Sequence, residues 1–271
     1  MNLPQTKTLL TVFEHGVLRI TLNRPEARNA MTREMVEELG AVFASVRESR
    51  TVRAIVLRGS GGHFCAGGDL KEMMAGGLKP PAPGEADPVA VHSRQFGAML
   101  RQLGSAPQVV IAICEGAVLG GGFGLTCIAD IALARHDAKF GLPETTRGLP
   151  PAQIAPFVVE RIGLTAARRL CLTGAQFNGM EAQRLGIVHD TFADEAELEL
   201  KLAAVLKQVL QCAPGANAMT KDIILKVARQ DMDAVLDDAA QKFAAAVRGS
   251  EAPEGIGAFM QKRAPKWTEP Q

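Results

Sequence analysis

Two glycine-rich turns carry the residues best suited to chemistry: His63-Phe64-Cys65-Ala66-Gly67-Gly68-Asp69 and Leu119-Gly120-Gly121-Gly122-Phe123-Gly124. Each follows an apolar, strand-like run and leads into a helix-like one. Glycine lets a ligand approach the backbone with no Cβ in the way. A helix starting at Gly121 or Gly122 points its positive end into whatever occupies the corner. One exposed N–H from each turn is the arrangement that holds the negative oxygen of an enolate. A single such cluster reads first as a tight turn that lets strand and helix pack closely. Two, at successive strand-to-helix corners, favour a site.

The elements that must position these turns follow from periodicity and turn chemistry. Leu9 to Phe13 and Val17 to Leu22, joined through His15-Gly16, predict a β-hairpin, and Thr32 is placed to N-cap a helix from Arg33 to Arg47. A strand over Arg53 to Leu57 runs toward the first turn, and Asp69 to Met74 follows as a short helix. Gly76 to Gly84, with three prolines, breaks all periodicity and predicts a mobile loop placed to cover a substrate. A helix from Val89 to Leu103, a strand from Gln108 to Cys114, the second turn, a helix from Phe123 to Ile128 and a strand from Asp130 to Ala134 repeat the pattern. Strands alternating with helices argue an α/β fold with its site at the C-terminal ends of the strands. Beyond Pro156 the chain reads as almost wholly helical. Asp194 and Glu197 stand as N-cap and N3 partner before Leu198 to Leu210, and helices are also predicted over Val235 to Val247 and Gly255 to Arg263. The domain boundary is placed near residue 200.

The chain has 271 residues, enough for one large α/β domain with a helical appendage. Thirty basic against 29 acidic side chains leave a net charge of +1, which supplies no sequence-wide field for nucleic acid or an anionic membrane. The five cysteines lack ligand-like spacing, and no apolar run approaches the roughly 20 residues that span a bilayer. A reduced, cytoplasmic protein is the expectation, and tyrosine is absent as an acid or base. Gly120 to Gly124 does not satisfy GxGxxG, and there is no P-loop, no GxSxG elbow, no HExxH and no acid-rich metal loop. Neither a nucleotide cofactor nor a metal is implied.

The segments Ile20-Thr21-Leu22-Asn23-Arg24-Pro25-Glu26-Ala27-Arg28-Asn29-Ala30-Met31, Phe64 to Lys71, Gly120-Gly121-Gly122 and Phe140-Gly141-Leu142-Pro143-Glu144 resemble, in order and spacing, the enoyl-CoA hydratase/isomerase (crotonase) superfamily. The resemblance runs from about residue 8 to 265. It implies a crotonase-like spiral of ββα units over residues 1–200, which carries the active site, and a C-terminal helical trimerisation region over 201–271. The assembly it implies is a homo-oligomer, a trimer or a dimer of trimers. Carried over residue by residue, the oxyanion donors are the backbone N–H groups of Gly68 and Gly121. Ala66, Gly67, Asp69, Leu70 and Lys71 fall in the contact with adenine and pantetheine, and Arg28 lies where a basic residue meets the nucleotide part of CoA. Lys262 lies where the family often contributes a phosphate contact, sometimes from a neighbouring subunit; Arg28 and Lys262 read equally as solvated surface charges.

One position departs from the pattern. Ordinary enoyl-CoA hydratases place one glutamate two residues beyond the third glycine of the GGG turn and another at the position of Glu144; the first position here is Gly124. The resemblance thus implies a single acid/base, Glu144, whose alternative role is a structural ion pair with Arg147. A glutamate buried beside an acyl chain has a raised pKa, which suits proton transfer at neutral pH. The surrounding residues resemble bacterial hydratases of branched glutaconyl-CoA esters, isohexenylglutaconyl-CoA first and methylglutaconyl-CoA next. No cofactor beyond the CoA of the substrate is implied. A distal carboxylate would need a cation, for which Arg147, then Arg94 and Arg101, are candidates. Met73, Met74, Phe96, Met99 and Phe123 are candidates for an apolar channel, although Met99 and Phe96, at helical spacing, read first as core. The other readings are a Δ3,Δ2-enoyl-CoA isomerase, a CoA-thioester hydrolase, and an inactive scaffold or RNA-binding member of the superfamily.

Overall fold

The computed structural model describes residues 3–75, 81–82 and 84–268. The chain runs through β1 (Leu9–Glu14), β2 (Val17–Leu22), α1 (Arg33–Val46), β3 (Ala54–Gly59), α2 (Leu70–Ala75), α3 (Pro88–Gly104), β4 (Val109–Cys114), β5 (Ala117–Leu119), α4 (Gly121–Ile128) and β6 (Ile131–Arg135). It continues through β7 (Lys139–Gly141), α5 (Ala155–Thr173), β8 (Gln176–Phe177), α6 (Gly179–Arg184), β9 (Asp190–Phe192), α7 (Glu195–Gln211), α8 (Pro214–Val227), α9 (Met232–Arg248) and α10 (Glu251–Met260). The β1–β2 hairpin closes through His15 and Gly16, both at positive φ (49° and 78°), the two-residue turn whose twist matches that of the strands. Thr32 caps α1 by accepting the Met35 N–H, and Asp194 caps α7 by accepting that of Glu197.

Two sheets organise the chain. The larger runs β1-β2-β3-β4-β6-β9, antiparallel only at the β1–β2 hairpin. Its central strands are apolar on both faces, as parallel strands covered by helices must be. One face buries Leu18, Ile55, Leu57, Val110 and Ala112 in a core shared with α1, α3 and α4. The other buries Val56, Ile111, Ile113 and Leu133 under Leu198, Leu202, Leu206 and Val209 of α7. Residue 200 thus lies inside a helix that packs on the sheet. The smaller sheet, β5-β7-β8, is made of strands two or three residues long. These strands are absent from the sequence reading, because so short a segment shows no alternation. The unit that repeats is a strand of the large sheet, a step into the small one, then a helix, which is the mixed α/β spiral expected of the crotonase-like architecture. The anticipated covering loop falls largely outside the described residues. Among the described residues no helix is long and apolar enough to cross a membrane.

Candidate active site

The small sheet sets the spacing of the site. Cys65 forms an isolated parallel bridge with Val118, and Val118 pairs in parallel with Phe140. These three rungs lead, within one short turn each, to Gly68, Gly121 and Glu144. Neighbouring strands lie about 4.8 Å apart, close to the separation of two donors that share one oxygen acceptor. Behind the rungs, Phe140 stacks on Phe177 at 5.9 Å, and Phe123 meets both rings edge-on at 6.1 and 6.2 Å.

Each donor is aimed by the carbonyl on the far side of its own peptide. The Gly67 carbonyl accepts the Met31 N–H at 2.8 Å, so the planar trans peptide turns the Gly68 N–H the opposite way. The Gly120 carbonyl accepts the Gly124 N–H at 3.0 Å, the first bond of α4, which leaves the Gly121 N–H projecting from the helix start. Neither the Gly68 nor the Gly121 N–H has an acceptor among the described residues. The turns touch: a Cβ built on Gly67, which has φ 100°, would stand 3.7 Å from the Gly121 nitrogen, and one on Gly122 would stand 2.5 Å from the Cys65 carbonyl oxygen. Only glycines allow this approach.

Glu144 sits in the first turn of a 3₁₀ helix over Pro143–Arg147. Its Oε1 lies 2.5 Å from where a Cβ on Gly120 would be, so the carboxylate rests on the backbone of the second turn. Its Oε2 is buried and has no hydrogen-bond partner among the described residues. Burial pushes this carboxyl above the usual range, against the smaller opposing pull of its own backbone N–H and the Arg147 charge. The Leu149 N–H to the Glu144 carbonyl (3.0 Å) and Thr145 Oγ1 to the Cys171 carbonyl (3.1 Å) hold the turn in place. Position 124 carries no carboxylate and has little room for one. A Cβ there would already be 3.3 Å from Leu100 and 3.4 Å from Ile154.

The remaining sequence-predicted residues divide. The Ala66 N–H donates to the Arg28 carbonyl at 3.0 Å, which joins the two segments, and the Arg28 side chain is exposed at a left-handed φ of 49°. Asp69 is engaged by the protein itself. It accepts the Lys71 and Glu72 N–H groups at the start of α2 and pairs with Arg24 at 3.0 Å. Burial raises its carboxyl, but the Glu72 N–H, Arg24 and the Lys71 N–H together hold it below the ordinary value. Leu70 and Lys71 are exposed on α2, and Arg147 is exposed on the turn of Glu144. Arg94 and Arg101 are exposed on α3. Lys262 is not brought to the turns: it follows α10, which packs on α9.

Of the channel candidates, Phe123 and Met99 are buried in the core, Met99 in keeping with the core reading that its helical spacing offered. Phe96 borders Gly121, and the Met73 sulfur borders Gly68. Burial pushes the Cys65 thiol up to about 12, so it packs rather than reacts. His63 Nδ1 accepts the Ala117 N–H at 3.0 Å, a structural role. Met31, Leu100 and Ile154 are site neighbours to which the sequence reading gave no role. The bridge of Met31 to Gly68 is made by backbone alone and leaves no mark on residue types.

The family model for enoyl-CoA hydratase/isomerase matches residues 12–270. The chain belongs to that family. It is 33% identical over 259 residues to enoyl-CoA hydratase domain-containing protein 2, mitochondrial, of Homo sapiens, covering 94% of this chain and 86% of the relative. It is 29% identical to 2,3-dehydroadipyl-CoA hydratase of Escherichia coli, covering 95% and 97%. Among solved structures, Pseudomonas aeruginosa AtuE superposes with a TM-score of 0.92 at 55% identity, over 97% of this chain and all (100%) of that one. An enoyl-CoA hydratase/isomerase from Marinobacter aquaeolei does so with 0.93 at 52%, over 97% and 99%. Within the enoyl-CoA hydratase/isomerase family, relatives named as hydratases make this chain an enzyme of the hydro-lyase class.

Proposed function

We propose that this chain adds water across the Cα=Cβ bond of a branched, glutaconyl-type acyl-CoA, with no cofactor beyond the CoA of the substrate. The observation that carries the reading is Glu144: a half-buried carboxylate with one oxygen that has no partner among the described residues, resting on the turn that holds one of two N–H donors likewise without an acceptor there. Glu144 takes a proton from water as the water oxygen bonds to Cβ. The π electrons shift through Cα to the thioester oxygen, which Gly68 and Gly121 stabilise by roughly 3 kcal/mol each. Collapse of the enolate takes the proton back from Glu144 onto Cα, so one water is added and the carboxylate is restored. Burial, by raising the Glu144 pKa, makes the carboxylate a stronger base and its acid form a longer-lived donor at neutral pH.

Support for a distal carboxylate comes from the relative named for 2,3-dehydroadipyl-CoA and from Arg147 on the turn of Glu144. Phe96 and Met73, beside the two donors, supply apolar wall for a branched chain. A second reading, Δ3,Δ2-enoyl-CoA isomerase, is favoured by one observation: position 124 carries a glycine packed close to Leu100 and Ile154 in place of the second glutamate, and one base is enough to move a proton between carbons. A homo-oligomer, trimer or dimer of trimers, is proposed from the exposed apolar side chains of α9 and α10, with Phe243 at 73% and Phe259 at 85% exposure. In such an assembly Lys262 would reach a neighbour's CoA phosphate.

Incubation with trans-2-enoyl, trans-3-enoyl and glutaconyl-type CoA esters in H₂¹⁸O tests the reading. Hydration places ¹⁸O on Cβ; double-bond migration without ¹⁸O replaces it with the isomerase. Glu144→Gln is expected to lower kcat by about 10³-fold with ester binding retained. For the active enzyme, kcat/KM is expected to rise with pH through an apparent pKa above 4.5, the ordinary glutamate value. The sign is set by the carboxylate being the base.

A further inference from the structure

We propose that Asn29 is a positioning residue for the first donor, acting through the peptide of Met31 on the Gly67–Gly68 peptide. The inference rests on the reading of Gly68 and Gly121 as an oxyanion pair.

Local support for the first donor is weak among the described residues. Gly67 stands at φ 100°, its N–H reaches the Cys65 sulfur at 3.4 Å, and its carbonyl receives a long contact from the same thiol at 3.8 Å. The Gly68 N–H gets its direction from the Met31 N–H on the Gly67 carbonyl (2.8 Å), and the next peptide is held as the Asp69 N–H donates to the Met31 carbonyl (2.9 Å). Met31 is therefore the splint, and its side chain also borders Gly121.

What holds Met31 in register is two residues upstream. Asn29 has no exposed surface (0%) and a left-handed φ of 56°. Its Oδ1 accepts the Arg24 N–H at 2.8 Å and the Ser60 hydroxyl at 3.4 Å. Its Nδ2 donates to the Ser60 and His63 carbonyls at 2.9 and 2.7 Å. All four hydrogen-bonding positions of the amide are used. They tie the segment 24–31 to the loop that enters the first turn, and Arg24 closes the strap by bonding the Ala30 carbonyl and Asp69. Removing Nδ2 would leave two loop carbonyls short of a donor and free the strap to shift. The peptide whose N–H faces the substrate is where that shift is felt.

The test separates backbone from side chain. Asn29→Gly keeps the positive φ without strain and removes every side-chain bond, whereas Asn29→Asp keeps the acceptor and loses both donors. The probe is a 2,4-hexadienoyl-CoA labelled with ¹³C at the thioester carbonyl, and the readout is its infrared carbonyl shift on binding, alongside Kd, kcat, KM and Tm. The wild-type chain is expected to lower the carbonyl frequency. In both variants at least half of that shift should be lost, with Kd and KM within about 3-fold and kcat down roughly 10- to 100-fold. An Asn29→Gly protein that keeps the full shift and kcat overturns the role of Asn29. So does a loss of signal that only tracks the unfolded fraction. If neither variant folds, Arg24→Gln loosens the same strap and must lower the shift, or the proposal falls. A wild-type chain that binds the probe without any shift overturns instead the oxyanion-pair reading.

Discussion

In the second turn the donor is oriented by the helix it begins: Gly121 opens α4, and the bond from Gly124 to the Gly120 carbonyl is both the first rung of that helix and the aim of the N–H. In the first turn the donor is oriented from a distance. The Gly67 carbonyl is fixed by Met31, a residue separated from it by the whole of α1 and β3. The two N–H groups proposed as an oxyanion pair therefore rest on two kinds of support, one local and one made only when distant segments meet. The local turn shares the fate of a helix whose residues are all buried. The tethered turn depends on a strap of backbone and amide bonds and opens toward an exposed Gly68.

Three substitutions probe that contrast. The largest effect is expected at the plane where the turns touch: Gly122→Ala would put a methyl 2.5 Å from the Cys65 oxygen and 2.7 Å from its Cβ. Neither neighbour can rotate away, so both donors move. The kcat should fall about 100-fold or more, and steady-state kinetics with unchanged activity would show that the turns are not held in contact. Next comes Gly124→Glu, which looks like a repair of the missing glutamate. Because a Cβ there already meets Leu100 at 3.3 Å and Ile154 at 3.4 Å, those side chains must shift to admit a buried carboxylate, which should cost about 3 kcal/mol in denaturant unfolding and add no activity. Smallest is Asp69→Asn, which retains a capping oxygen for α2 but drops the charge facing Arg24. Asp69 is held below its ordinary pKa of 3.8 in the folded chain, so its charge stabilises above that value and the benefit is lost as pH falls through the folded pKa. A loss of about 1 kcal/mol at pH 7 that disappears at the acid end is expected from melting across pH, and it should mark the tethered turn alone.

The same contrast explains what could be read from residue types. The hairpin at His15-Gly16, the Thr32 and Asp194 caps and the long amphipathic helices are local, and their turn and cap chemistry is written in adjacent residues. So was the cluster at Gly120 to Gly122. Strands β5, β7 and β8 were not legible, because two or three residues become a strand only through partners far along the chain. For the site, the structure brings Gly68, Gly121 and Glu144 together, but the wall at position 124 comes from Leu100 and Ile154 on either side of it in sequence. Met31 was visible as part of a motif, yet its function resides in a peptide group that every residue type but one possesses. Phe123 and Met99 are buried, and spacing along a helix fixes a face but not what that face meets.

The rungs through Cys65, Val118 and Phe140 have a consequence for how such an enzyme changes over evolutionary time. The turns are tied together by backbone pairing, Cys65 with Val118 and Val118 with Phe140, which no side chain encodes. The proposed anion hole is therefore a property of the scaffold. The proposed base and acyl wall rest instead on single side chains such as Glu144 and Phe96, which can be exchanged without disturbing those rungs.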